Sequence, residues 1–285
     1  MRKIGLVAVV AILGIGTGLE AATYRLFVHG RSTKNHCETL TNVNSGKADK
    51  NNYWGGVVKG VANIRYVGFN PNASGGAYSW SSCGAQAQLH KAIQVFCSGG
   101  NNCEIYTHST GGLVAAAYFA KYKPGTRITR IQLMANASGG SELANIAVMN
   151  KILAYSGNVI SALIAVGFKA GGPIDQSVST VGARLGFNHN NTNGYTFYTT
   201  SGVGSDVPLN VTKVFLPGKD DSVVANHSLC NVNKVSAVDV GCPLGTGKFK
   251  DVLIQTHTRW SNHKTIYSGG SSVSHRDAEK HYTKR

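Results

Sequence analysis

The run Cys103-Glu104-Ile105-Tyr106-Thr107-His108-Ser109-Thr110-Gly111-Gly112 is where this chain could do covalent chemistry. Its first half is β-branched and aromatic and reads as a strand. A histidine and a serine stand at the strand's end, and two glycines open a helical pattern. A strand that turns sharply into a helix at a serine lifts the hydroxyl clear of the backbone, which is the layout of a nucleophile elbow. The G-x-S-x-G spacing is met except at its first position, where Thr107 stands for glycine. A serine hydroxyl is a weak nucleophile at neutral pH. It needs a base within hydrogen-bond reach, a group that orients the base, and donors for the oxyanion that forms on attack.

Candidates for each role stand elsewhere in the chain. Residues 24–28 form a strand that ends in His29-Gly30-Arg31, and the backbone N–H groups of Arg31 and Thr110 are the expected oxyanion donors. Asp220 and Asp221 follow Pro217-Gly218, and the order serine, acid, late histidine makes this turn the candidate source of the orienting group. The base is one of several downstream histidines. His227 follows Asp221 too closely, and His263 precedes the strand-like residues 264–268, whereas the base belongs after the last strand. His275 meets that condition and is the expected base, with His263 and His257 as the alternatives.

These groups can act together only if the elements bring their ends together. Residues 62–67 read as a second strand, and residues 84–96 as a helix with Ala85, Leu89, Ala92, Ile93 and Phe96 at helical spacing. After the elbow, residues 113–122 continue as a helix, stopped by Lys123-Pro124-Gly125. Residues 128–134 are the next strand, 146–168 an apolar helical stretch broken at Gly157 and Gly167, and 211–216 a strand stopped by Pro217-Gly218. Strands alternating with helices predict a mostly parallel sheet with crossover helices. In such sheets the chemistry sits at the carboxyl ends of the strands, where each candidate falls.

Composition bounds the setting. Arg2 and Lys3 precede an apolar run over residues 4–15 and then small residues to Ala22, the pattern of a signal peptide over residues 1–22. The run is shorter than the roughly 20 residues a membrane-spanning helix needs, and no later segment reads as an anchor. Residues 23–285 are then expected as one secreted domain, extracellular or periplasmic. Six cysteines suit an oxidising compartment. Proximity pairs Cys97 with Cys103 and Cys230 with Cys242, leaving Cys37 for Cys83; no C-x-x-C spacing supports zinc. The net charge of +15 favours loose attraction to anionic surfaces, while scattered Lys and Arg with no recognisable module argue against nucleic acid.

Four motifs together resemble the secreted bacterial lipases and esterases of the α/β-hydrolase fold. His29-Gly30 matches the pair that precedes that family's oxyanion loop, and His108-Ser109-Thr110-Gly111-Gly112 matches its Gly-His-Ser-x-Gly-Gly elbow apart from Thr107. Gly140, Ser141 and Ala144 match its Thr-Pro-His-x-Gly-Ser-x-x-Ala segment, with Ala137 in place of the proline. Gly218-Lys219-Asp220-Asp221-Ser222-Val223-Val224 resembles its acid turn, with Asp221 at the acid position. The resemblance implies a central, mostly parallel sheet with helices on both faces and a helical lid inserted at about residues 145–185. It also implies a triad of Ser109, Asp221 and His275 acting on carboxylic esters, as a triacylglycerol lipase or lipase-like esterase, with no organic cofactor. Some members bind a structural calcium, for which no carboxylate cluster stands out here. A polyester depolymerase or acyltransferase with the same triad, and a non-catalytic basic surface-binding protein on the same fold, are the competing expectations.

Overall fold

The computed structural model describes residues 21–31, 37, 53–54, 57–58, 60–153, 171–205, 212 and 215–285. Residues 1–20 of the expected signal peptide and residues 154–170 of the expected lid lie outside the described residues. The strands β1 (Thr23–Val28), β2 (Ile64–Val67), β3 (Asn102–His108), β4 (Arg127–Met134) and β5 (Phe197–Ser201) belong to one sheet. Its sixth member is β8 (His263–Ser268). The order is β2-β1-β3-β4-β5-β8, and every neighbouring pair is parallel. A two-stranded antiparallel hairpin, β6 (Phe249–Lys250) with β7 (Thr256–His257), stands apart from it.

Parallel strands covered on both faces carry continuous apolar runs rather than alternation. Leu26, Phe27 and Val28 at the end of β1 are wholly buried, as are Ile105 in β3 and Leu133 and Met134 in β4. The helices α1 (Ala85–Phe96) and α2 (Thr110–Lys121) follow β2 and β3. Residues 110–120 of α2 are buried on every side, as befits a helix of alanine, glycine and other uncharged residues up to Lys121. The chain runs from β1 out to β2, then returns to place β3 on the other flank of β1. The strand order therefore reverses between β1 and β3, and a crevice opens at that switch point beyond their carboxyl ends.

Past β4, α3 (Glu142–Leu153), α4 (Pro173–Val178) and α5 (Thr180–Leu185) lie against one another above the sheet's carboxyl edge, and α6 (Asn226–Leu229) follows the acid turn. The fifth strand differs from the sequence expectation. Phe197–Ser201 pairs with β4, whereas Thr212 and Phe215 are in 3-10 conformation and Leu216 in a bend. The physical reason is local. Thr212 Oγ1 donates to the Ser222 carbonyl at 2.5 Å, so Thr212 braces the Asp221 turn, and Gly218 then turns away at φ 72°. Cys37–Cys83, Cys97–Cys103 and Cys230–Cys242 are bonded, with Cα separations of 5.6, 5.5 and 5.2 Å.

Candidate active site

Ser109 occupies the turn between β3 and α2 with φ 54° and ψ −124°, a conformation L-residues avoid. Such strain persists only where surroundings over-determine it, and here they do. The Ser109 N–H donates to the Met134 carbonyl at 2.9 Å, and its own carbonyl accepts from Gly112 at 3.0 Å and Ala137 at 3.2 Å. Glycine is required around it by proximity. A Cβ on Gly30 would lie 2.7 Å from Ser109 Cβ, and one on Gly111 would lie 2.7 Å from the Val28 carbonyl oxygen. Thr107 is the penultimate residue of β3, wholly buried, and donates from Oγ1 to the Gln132 carbonyl at 3.3 Å. Threonine suits that strand position, and the space the elbow needs comes from the glycines after the serine.

Asp221 is 1 % exposed, yet its carboxylate is fully engaged. Oδ1 accepts from the N–H groups of Val223 and Val224 at 3.0 and 2.8 Å, and Oδ2 lies 2.7 Å from His275 Nδ1. A carboxylate can only accept, so Nδ1 carries the proton and Nε2 is left as the basic nitrogen. The His275 N–H also donates to the Asp221 carbonyl at 3.2 Å. Asp220 turns the other way and accepts from Ser222 N–H. No hydrogen bond joins Ser109 Oγ to His275 among the described residues. In unliganded enzymes such contacts are commonly long and tighten only on substrate.

His108, beside the serine, braces this histidine. Its Nε2 lies 2.8 Å from the His275 carbonyl oxygen, and its Nδ1 lies 2.6 Å from the Tyr53 hydroxyl. The carbonyl demands a donor, so Nε2 holds the proton and Tyr53 donates to Nδ1. Burial, reinforced by the neighbouring His275, pushes the His108 pKa down to about 3, which keeps the ring neutral in this tautomer. The two rings lie 4.9 Å apart. His29 is fixed in a similar way. It accepts at Nε2 from Phe69 N–H at 3.2 Å, donates from Nδ1 to the Gly30 carbonyl at 2.6 Å, and stacks on Phe69.

Thr110 is the first residue of α2, so its N–H has no acceptor within the helix. Arg31 stands across the crevice from it, at the end of β1. Its guanidinium grips Asp175 of α4 with two bonds, Nε to Oδ1 at 2.5 Å and Nη2 to Oδ2 at 3.2 Å. Asp175 also accepts from Gly171 and Gly172 N–H at 3.1 and 3.3 Å. A cleft opens over Ser109, Thr110 and Arg31, and Leu143, Ala144, Ala147, Val178, Val223 and Val224 give it apolar sides.

The other histidines have different surroundings. His263 is the first residue of β8, at the amino edge of the sheet, opposite the end that carries Ser109. It stacks on Phe197 and donates from Nδ1 to the Ser261 carbonyl. His257 donates from Nε2 to Asp251 at 2.7 Å inside the β6–β7 hairpin. His227 accepts at Nδ1 from Arg184 and donates from Nε2 to Glu142. The residues the sequence reading passed over are His108, Tyr53 and Asp175. His108 was visible as part of the elbow, but nothing local announces that it reaches a residue 167 positions away. Among the described residues, no group of three His, Cys, Asp or Glu side chains is arranged to hold a metal.

No protein-family model and no curated protein matches the chain. Among solved structures, the mature form of the Bacillus licheniformis lipase BlEst2 is similar at a TM-score of 0.53 and 14% identity, over 92% of this chain and 88% of that one. Its propeptide form is similar at 0.51 and 15%, over 91% of this chain and 48% of that one. At these identities the likeness is one of architecture. Six parallel strands, their flanking helices and a serine turn at the carboxyl edge give this chain the α/β-hydrolase fold.

Proposed function

We propose that the protein is a secreted serine hydrolase of carboxylic esters, a lipase or lipase-like esterase working through an acyl-enzyme on Ser109. The observation that carries this reading is a strained serine turn beside the Asp221–His275 pair, open to an apolar cleft. In the proposed reaction Ser109 Oγ attacks the ester carbonyl while His275 Nε2 takes its proton. Asp221 holds Nδ1–H and stabilises the imidazolium. The N–H groups of Arg31 and Thr110 receive the oxyanion, an interaction worth roughly 2.7–4 kcal/mol per donor. His275 returns the proton to the leaving alkoxide, and water deacylates the serine by the same steps. The acyl chain lies against Leu143, Ala147, Val178 and Val224, which favours apolar acyl groups. The three disulfides suit an exported protein.

Hydrolysis of p-nitrophenyl butyrate and longer esters tests the reading. Ser109→Ala is expected to lower kcat by at least about a thousandfold, and His275→Ala comparably, with His263→Ala and His257→Ala retaining the chemistry. Undiminished turnover in Ser109→Ala would overturn the assignment.

A further inference from the structure

The β6–β7 hairpin ends in Val252-Leu253-Ile254, residues that are 52, 73 and 72% exposed. Three consecutive apolar residues at a loop tip run against the ordinary preference for polar turns. The tip is also held rigidly. Asp251 Oδ1 accepts from Leu253 and Gln255 N–H at 2.9 and 2.8 Å, its carbonyl accepts from Ile254 N–H at 2.9 Å, and its Oδ2 is bonded to His257. Ile254 sits at φ 63°, a left-handed position where glycine or asparagine is expected and a β-branched residue is an outlier. A side chain kept at such a site despite its strain points to a use for its apolar bulk.

The surroundings bear on what could cover it. Val235, half exposed, lies on the adjoining segment between the bridges Val232–Arg259 and Val238–Asp251, and Leu244 adds a further exposed apolar side chain from the next loop. Exposed Lys234, Lys248 and Lys250 border these residues in sequence. Of the nearby acids, Asp251 is committed to His257 and Asp239 lies 4.0 Å from Lys219. An apolar tip with a basic rim, on a chain of net charge +15, matches an anionic lipid surface, where acyl chains receive the tip and headgroups the lysines.

We propose that Val252, Leu253 and Ile254, with the lysines beside them, form a surface anchor that inserts into anionic lipid interfaces. The anchor is coupled to the candidate active site through the backbone. Val252 N–H donates to Ala237, and Lys219 N–H donates to Val238 at 2.7 Å, two residues before Asp221. Insertion therefore fixes the acid turn's side of the molecule against the lipid. The inference does not need the esterase reading, since binding is a property of the hairpin.

Co-sedimentation with vesicles of equal parts phosphatidylcholine and phosphatidylglycerol tests it, using the Ser109→Ala protein so that no lipid is consumed. The Leu253→Ser/Ile254→Asn variant relieves the strain at position 254 and is expected to keep its melting temperature. Its vesicle affinity should fall at least about tenfold. In the Ser109 background, its kcat/KM on p-nitrophenyl butyrate should stay unchanged. Lys248→Glu/Lys250→Glu should weaken binding to the same vesicles and leave binding to pure phosphatidylcholine unchanged. Equal vesicle binding by parent and Leu253→Ser/Ile254→Asn would overturn the proposal. So would a parent that ignores vesicles but self-associates through this tip, which would give the patch to a second copy of the chain.

Discussion

At the scale of single residues, the candidate base is held at three points, and only one of them is the carboxylate contact expected of a triad. Asp221 takes Nδ1–H, the Asp221 carbonyl takes the backbone N–H, and His108 donates to the backbone carbonyl of His275. The last bond reaches across the serine turn itself, so the residue beside Ser109 fixes the backbone of the candidate base. His108→Phe keeps the ring packing against Trp54 but removes the donor, leaving a buried carbonyl unpaired at a cost of about 1–3 kcal/mol. The expected result is a fall in kcat of roughly tenfold to a hundredfold with KM little changed, and partial recovery in His108→Gln, which restores a donor. A variant with full kcat, or one whose loss appears only in KM, would assign His108 to packing alone.

At the scale of elements, the Arg31–Asp175 pair ties the segment after β1, which carries a candidate oxyanion donor, to α4. Breaking a buried pair from one side costs roughly 3–5 kcal/mol. Here the cost belongs at the low end, because Asp175 retains two backbone donors and Arg31 is partly exposed. Arg31→Gln keeps the backbone N–H at position 31 but loses the clamp. A melting temperature lowered by roughly 6–12 °C is expected, with a reduced kcat, and Arg31→Gln/Asp175→Asn should lose less than the sum of the single changes. Additive losses in that cycle would mean the two residues are not coupled. This pair also shows why part of the site was illegible in sequence. The strand ends, the elbow and the acid turn are local patterns of glycine, β-branching and chain order, and they could be read directly. Contacts such as Arg31 with Asp175, or His108 with His275, join positions more than a hundred residues apart and have no local signature. The missed strand is a different case. Phe197-Tyr198-Thr199-Thr200-Ser201 is β-prone by composition, but 211–216 looked equally so, and only pairing with β4 discriminates between them.

At the scale of the whole molecule, three deeply buried histidines among the described residues, His108, His189 and His263, are held neutral by burial, and this shapes how the fold responds to acid. Desolvation is the largest cause in each case, lowering His108 and His189 to about 3 and His263 to about 4. In the unfolded chain each returns to about 6.5. Between those values the unfolded state binds more protons than the folded one, so stability rises with pH across this window. The stabilisation is fully present above about pH 6.5 and is lost as pH falls toward each folded value. At pH 5 each group costs about 2 kcal/mol relative to neutral pH, and the high positive charge adds self-repulsion in the same direction. The two effects separate in His263→Phe. That ring already stacks on Phe197 within 10° of parallel, so phenylalanine keeps the packing while removing the titration. Guanidinium unfolding at pH 7, 6 and 5 should then show a shallower loss of stability than the parent, by up to one proton's slope, about 1.4 kcal/mol per pH unit. Parallel pH profiles for variant and parent would show that charge repulsion, and not the buried imidazoles, drives the acid sensitivity.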